Sequence, residues 1–207
     1  PDPTLPLQSL RELTEPAGVP HAPSIQSWTL KQGSRVLFVE NHHLPMVDLK
    51  ISFAAGSYYD GETPGLAAMT QALFSVDSAR KPADEIARGF NRYGALITHG
   101  INAEQSYLTL RSLSAPEVLA PVLSLFTETL TQRSFSEQNL SRIRRSLQAD
   151  LTLEDILGQA RALSSIRAEL YPGQPLSRSV NGTNDSLQRI QAAQVRSFFQ
   201  RAYTAAN

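Results

Sequence analysis

The sequence predicts an α/β fold built on an antiparallel sheet, and three stretches carry that prediction. Residues 46–53 alternate apolar and polar side chains, as expected for a strand with one buried face. Residues 94–100 and 106–111 have the composition of a strand and its antiparallel return. Residues 116–131 and 136–170 carry apolar side chains at helical spacing, with a break expected near Gly158.

Composition limits the classes of function that the chain can serve. Its 207 residues suit one domain or a tight pair, and 41% apolar with 18% charged residues is typical of a soluble globular protein. The 19 basic and 19 acidic residues cancel, so neither a nucleic acid nor an anionic membrane surface is an expected partner. No apolar run approaches the ~20 residues of a membrane span.

Cysteine is absent, which excludes disulfides, thiolate metal sites and a cysteine nucleophile. This absence fits an exported, periplasmic protein, with a cytoplasmic location as the alternative. The first residue is Pro1 rather than Met, so we expect that a leader has been cleaved or that the sequence has been trimmed. Residues 1–26 hold six of the thirteen prolines and show little periodicity, so we expect an extended, proline-rich arm. The folded domain is then expected to be residues 27–207.

The first part of that domain predicts a β-hairpin, a strand and a helix. Residues 27–30 and 35–39 are short β-favouring runs separated by a Gly-containing turn. After the strand at 46–53, residues 65–74 follow Pro64 and have Leu66, Met69 and Leu73 at i, i+3 and i+7. This spacing predicts a helix with one apolar face.

These stretches together resemble a known family. The segment LKQGSRVLFVENHHLPMVDLKISFAAGSYYD, which begins at Leu30, and the helix that begins at Gly65-Leu66-Ala67 resemble the zinc-helix region of the insulinase/pitrilysin-type metallopeptidases. The later YPGQPL at 171–176 and the Gly-Thr at 182–183 resemble a connection typical of the same family. The resemblance covers most of residues 27–207 and implies a half-domain of the processing-peptidase type, with helices packed mainly on one face of the sheet.

The family's zinc motif, His-x-x-Glu-His, has lost its chemistry in this chain. Its two histidine positions fall on Ala68 and Ala72, and its general-base position falls on Gln71. The third ligand position falls on Asp150, or on Ala149 by the alternative count. Because methyl groups cannot bind zinc and an amide cannot take a proton from water, we expect no metal, no cofactor and no catalytic residue.

The resemblance also implies a place where peptide could bind. In active members the strand that corresponds to Ile97, Thr98, His99 and Gly100 pairs with the substrate backbone. An exposed strand edge suits that role because its free N–H and C=O groups accept any extended peptide.

We therefore expect a non-catalytic homologue that helps to bind extended peptides beside an active, zinc-bearing peptidase subunit or beside its own second half. A purely structural subunit of a larger assembly is the alternative, and an independent hydrolase with unrecognised residues is a third possibility. Family chains continue past the position of Asn207 with a strand that completes the sheet and then a second half. The domain at 27–207 is thus expected to lack its last strand and that second half.

Overall fold

A computed structural model of the protein describes residues 23–207. The strands are β1 (Ile25–Thr29), β2 (Arg35–Val39), β3 (Met46–Phe53), β4 (Leu96–Ile101) and β5 (Ser106–Leu113). The helices are α1 (Leu66–Gln71), α2 (Ala83–Arg92), α3 (Pro116–Thr131), α4 (Glu137–Ile156), α5 (Gly158–Leu170), α6 (Asn184–Arg189) and α7 (Ala192–Ala202). The predicted α/β class is confirmed.

Strands β3, β5 and β4 form an antiparallel sheet in that order, with β5 in the centre. The predicted alternation holds, since Val47, Leu49, Ile51 and Phe53 are more buried than the residues between them. On β5, Leu108 and Leu110 are almost completely buried on the same face. Helices α1, α3 and α4 supply much of the core against this face, with Met69, Val122, Phe126 and Leu140 fully buried or nearly so.

Strands β1 and β2 form a separate two-stranded hairpin, which is not continuous with the sheet of β3, β5 and β4. Trp28 and Phe38 lie on neighbouring strands with ring centroids 6.3 Å apart, yet both side chains are exposed. Residues 205–207 contact the hairpin turn and the residue that follows β3: the Ser34 hydroxyl donates to the carbonyl of Ala205 at 2.7 Å, and the Asn207 amide donates to the carbonyl of Ala54 at 3.3 Å.

The predicted helix at 65–74 is present but shorter than expected. Regular α-helix ends at Gln71, and residues 72–75 continue as a 3₁₀ turn. Gly65 begins the segment at a φ of 87°, a left-handed conformation that favours glycine. A side chain there would also meet the carbonyl oxygen of Asn181 at 2.8 Å, so this turn needs a residue without Cβ.

The helices predicted at 116–131 and 136–170 are confirmed, and a short one was missed. The break expected near Gly158 separates α4 from α5, and α3 has its predicted bounds. Helix α6 was not predicted, because it has six residues and offers too short a window for periodicity. Thr183 caps it by accepting from the backbone N–H of Ser186.

Two features concern the ends of the domain and its relation to membranes. Strand β1 already includes Ile25 and Gln26, whereas residues 1–22 of the expected arm lie outside the described residues. Among the helices of residues 23–207, none combines the length and apolar character that crossing a bilayer requires.

Candidate functional site

The three motif positions lie on α1 and the turn that follows it. Ala68 is 1% exposed and Gln71 6% exposed, whereas Ala72 is half-buried. Helix α1 packs between the sheet, α4 and α7, so its side chains contribute to the hydrophobic core. The methyl group of Ala68 therefore occupies a closed position within the protein.

Gln71 and His99 are brought together from elements 28 residues apart. The amide nitrogen Nε2 of Gln71 lies 2.6 Å from the ring nitrogen Nδ1 of His99 on β4. With the amide donating, Nδ1 accepts and the imidazole is neutral, with its proton on Nε2. Burial lowers the pKa of His99, and the nearby Arg133 guanidinium lowers it further, which agrees with a neutral ring.

Arg133 is a buried cation beside this pair. It is 6% exposed, its Nη1 donates to the carbonyl of Leu73 at 3.0 Å, and its guanidinium lies 5.1 Å from the centre of the Phe74 ring. Burial lowers its pKa to about 10. Its Nε and Nη2 have no hydrogen-bond partner among the described residues. The positive charge of Arg133 therefore lies against the C-terminal turn of the motif segment (residues 65–75).

Asp60 holds the other end of the motif segment. Its carboxylate accepts from the backbone N–H of Gly65 at 2.8 Å and of Ala67 at 2.7 Å. These groups are free at the start of a helix, so the carboxylate satisfies two of them. Burial nevertheless raises the pKa of Asp60 to about 6, against the lowering effect of the two amides and of Arg178.

The expected third ligand position does not join this cluster. The side chain of Asp150 is exposed on α4, and its carboxylate forms no hydrogen bond or ion pair within residues 23–207. Glu154, one turn further along, is half-buried and accepts from the side chains of Asn181 at 2.9 Å and Ser179 at 3.4 Å. Neither carboxylate forms a hydrogen bond with a residue at the motif positions.

The residues present do not fit the zinc ion that the family motif would hold. Two of the ligand positions are methyl groups, and the base position is an amide already hydrogen-bonded to His99. Over residues 23–207, no three His, Asp or Glu side chains lie close enough together to ligate one metal ion. We therefore derive no metal-dependent step for this chain.

Strand β4 leaves one side of its backbone available. Within the described part of the chain it pairs only with β5, so it forms one edge of the three-stranded sheet. Of the expected binding residues, Ile97 and His99 point to the core face, whereas Thr98 and Gly100 lie on the outer face. The Gln71–His99 hydrogen bond connects this edge to the motif segment.

Comparison with known proteins identifies the family to which this fold and its altered motif belong. The family model for insulinase, peptidase family M16, matches residues 35–184, more than two thirds of the chain. The chain belongs to the M16 family. A crystal structure of an inactive M16 peptidase domain from Pseudomonas fluorescens is 35% identical, with a TM-score of 0.85 over 89% of this chain and 45% of that one.

Two curated relatives have names that do not describe a peptidase. The non-peptidase homolog YmxG of Helicobacter pylori is 23% identical over 81% of this chain and 39% of its own length. Subunit 1 of the mitochondrial cytochrome b-c1 complex of Caenorhabditis elegans is 21% identical over 88% of this chain and 38% of its own. The chain thus spans less than half of these relatives. The names agree with the expectation that this M16 chain is not a peptidase on its own.

Sequence reasoning identified Gln71 and His99 separately but missed that they form a pair. It also missed Asp60 and Arg133, although the acidic residue shortly before the motif helix was a usable signal for a cap. No sequence pattern distinguished Arg133 from the other arginines, because its importance comes from burial. Asp150, at the third ligand position, is an exposed carboxylate on α4.

Proposed function

We propose that this chain is a non-catalytic M16 module that binds extended peptides along the free edge of β4. The supporting observation is that β4, among residues 23–207, has a pairing strand on one side only, while the adjoining motif has lost its ligands. Peptide docking on a strand edge uses backbone groups, so it does not require the residues lost at Ala68, Gln71 and Ala72. Catalysis would come from a zinc-bearing M16 partner subunit or a second half of a longer chain.

Selection from a displayed library of random dodecapeptides tests the docking. Consecutive residues of a strand point their backbone N–H groups to opposite sides. Of the two variants Thr98→Pro and His99→Pro, one therefore removes an N–H group from the free edge, and we call it the edge-facing proline variant. The other removes an N–H group that faces β5. We expect wild type to enrich extended, proline-poor peptides and the edge-facing proline variant to lose them while remaining folded. Thr98→Ser, which keeps the amide, is the matched control. Equal enrichment by all variants contradicts the proposal.

A structural role in a larger assembly is the second candidate. It is supported by the similarity to a cytochrome b-c1 complex subunit, whose name places that protein in a respiratory complex. Co-purification distinguishes the two. A His-x-x-Glu-His-bearing peptidase as the stable partner favours peptide binding, whereas a membrane assembly without such a peptidase favours the structural role.

We also propose that the sheet accepts a further strand between the β1–β2 hairpin and β3. Supporting this, β3 pairs only with β5 in the described residues, the hairpin forms its own sheet, and residues 205–207 contact the hairpin turn and Ala54 just after β3. The strand would come from a longer chain, another copy or a proline-rich arm. Light scattering with mass spectrometry should then show a dimer or a retained fragment. A strictly monomeric 22.7 kDa species of high thermal stability contradicts this.

The proposed compartment is the periplasm or another exported location. Its support is the complete absence of cysteine in 207 residues. Fractionation of the producing bacterium, with a cytoplasmic enzyme as the marker, tests the compartment, and recovery with that marker would assign the chain to the cytoplasm.

A further inference from the structure

The outer face of the sheet has an unusual contact at the free edge. Gly100 on β4 pairs directly with Tyr107 on β5. A Cβ atom built on Gly100 would lie 2.5 Å from the Tyr107 hydroxyl oxygen and 2.6 Å from the ring carbon that bears it. The tyrosine therefore leans across β4 through space that any side chain at position 100 would fill. Its phenol ends above the edge strand.

A cation on the opposite side helps to hold this ring. The Lys50 ammonium group, on β3, lies 4.7 Å from the centre of the Tyr107 ring. The ring is thus contacted by Lys50 on one side and directed over Gly100 on the other. A peptide strand that pairs with β4 would place an outward side chain next to the phenol, because cross-strand neighbours lie about 5 Å apart.

A shallow hollow adjoins the same edge. It has a volume of about 400 Å³ and lies over the hydroxyl pair of Thr98 and Thr109, whose oxygens are 2.5 Å apart. Leu96, 60% exposed, forms the wall nearest the edge. On the far side, Arg111 donates to both carboxylate oxygens of Asp48, at 2.6 and 2.9 Å.

The charges around this face disfavour basic side chains. Asp48 is paired with Arg111, and that hydrogen bond lowers the pKa of the carboxyl group. Lys50 has no such carboxylate partner within residues 23–207 and remains over the aromatic ring. The face is therefore slightly positive, with an exposed leucine and a tyrosine as its apolar contacts.

We propose that this outer face, formed by Tyr107, Gly100, Leu96 and the hollow over Thr98, selects a large aromatic side chain of a docked peptide. The inference rests on the proposed docking at β4. Tyr107 already covers Gly100, as aromatic side chains commonly cover glycine on a neighbouring strand, and its ring offers a docked aromatic side chain a tilted or offset contact. A side chain opposite Thr98 lies between Leu96 and the phenol over Gly100, since each of these two strand positions is about 7 Å from Thr98 along β4. A small side chain there would leave both in water, and a lysine or arginine would approach Lys50 and Arg111.

The test uses peptides enriched by wild type and resynthesised with each aromatic residue replaced by Ala or Lys. Fluorescence anisotropy should show one position where the aromatic peptide binds about tenfold more tightly than its Ala version, and the Lys version should be weakest. Tyr107→Ala should reduce the aromatic preference to about twofold. Gly100→Ala should do the same, because its methyl group displaces the phenol. Tyr171→Ala, an exposed tyrosine after α5, is the matched control.

Tyr107→Phe separates ring contact from hydrogen bonding and should keep the preference. Circular dichroism and thermal unfolding establish that each variant is folded. If wild type binds peptides and the edge-facing proline abolishes that binding, yet no aromatic preference exists or it survives Tyr107→Ala, this inference is wrong and the docking proposal stands. If wild type enriches no peptide, both are wrong.

Discussion

The motif segment (residues 65–75) and strand β4 are neighbours with opposite exposures. The motif segment is closed: Ala68 is buried, and Gln71 is engaged with His99. Strand β4 is open along one edge, and its outer residues Leu96 and Thr98 are exposed. Zinc chemistry depends on particular side chains and disappears with them, whereas strand pairing depends on the backbone. A peptidase fold can therefore lose the residues of its zinc motif and keep an open strand edge.

The largest effect on stability is expected from restoring the family motif. Ala68→His, Gln71→Glu and Ala72→His together place imidazole and carboxylate groups in a packed region. Overpacking and burial of polar groups should lower the free energy of unfolding by on the order of 2–5 kcal/mol. Urea unfolding with and without zinc measures this. A triple variant as stable as wild type that binds one equivalent of zinc would show that the region is not closed.

Wild-type protein should contain no stoichiometric zinc when purified without chelator, and it should not cleave extended peptides above a buffer control. Elemental analysis and a labelled-peptide assay check these two expectations. One equivalent of zinc that is lost on mutating Asp150 or His99, or chelator-sensitive cleavage by a pure sample, would contradict them.

Asp60 should make the stability of the motif segment depend on pH. Its pKa is raised from 3.8 to about 6 in the folded protein, so the folded state holds the proton more tightly than the unfolded chain. Its contribution is therefore fully present below pH 3.8 and is lost as the pH rises through about 6, by on the order of 3 kcal/mol. Unfolding titrations from pH 3.5 to 7 should show this loss in wild type.

Asp60→Asn should remove that dependence, because an amide does not titrate in this range. Asp84→Asn, an exposed side chain at the start of α2, is the matched control and should keep the wild-type profile. Parallel profiles for wild type and Asp60→Asn would show that the Asp60 carboxyl titrates with an ordinary pKa.

Gln71→Ala should lower the free energy of unfolding by about 1–3 kcal/mol, since it leaves Nδ1 of the half-buried His99 without a donor. The amide also stabilises the neutral imidazole, so its removal should raise the pKa of His99 in an NMR titration. Gln188→Ala on the exposed side of α6 provides the comparison. An unchanged His99 titration would mean that the two side chains do not interact in solution.

The smallest change in stability is expected at the open edge. Thr98→Lys loses one hydroxyl contact to Thr109 at an exposed site, and its cost should stay within about 0.5 kcal/mol. The same lysine should sharply reduce peptide capture, because charged side chains protect strand edges from pairing. A stability loss as large as that of Gln71→Ala would show that β4 is less open than its pairing indicates.

The sequence was most informative where a pattern is local. The alternation at 46–53 and the caps and breaks around 116–170 predicted elements whose bounds closely match the structure. The family motif placed the degenerate positions on a buried helix.

The sequence did not reveal contacts between distant elements, such as Gln71 with His99 or Tyr107 across Gly100, because a single sequence carries no signal for such pairs. The division into two sheets was missed for the same reason.

Arg133 has a consequence for the electrostatic potential of the old metal region. A guanidinium held 3.0 Å from the carbonyl oxygen of Leu73, without a carboxylate ion pair in the described residues, makes that region electropositive. The local dielectric constant is low because little water reaches this region, so the field of the guanidinium is weakly screened. A divalent cation brought to the motif positions would be repelled by a charge that the fold itself keeps in place. Returning this site to metal binding therefore requires a change in its field as well as in its ligands.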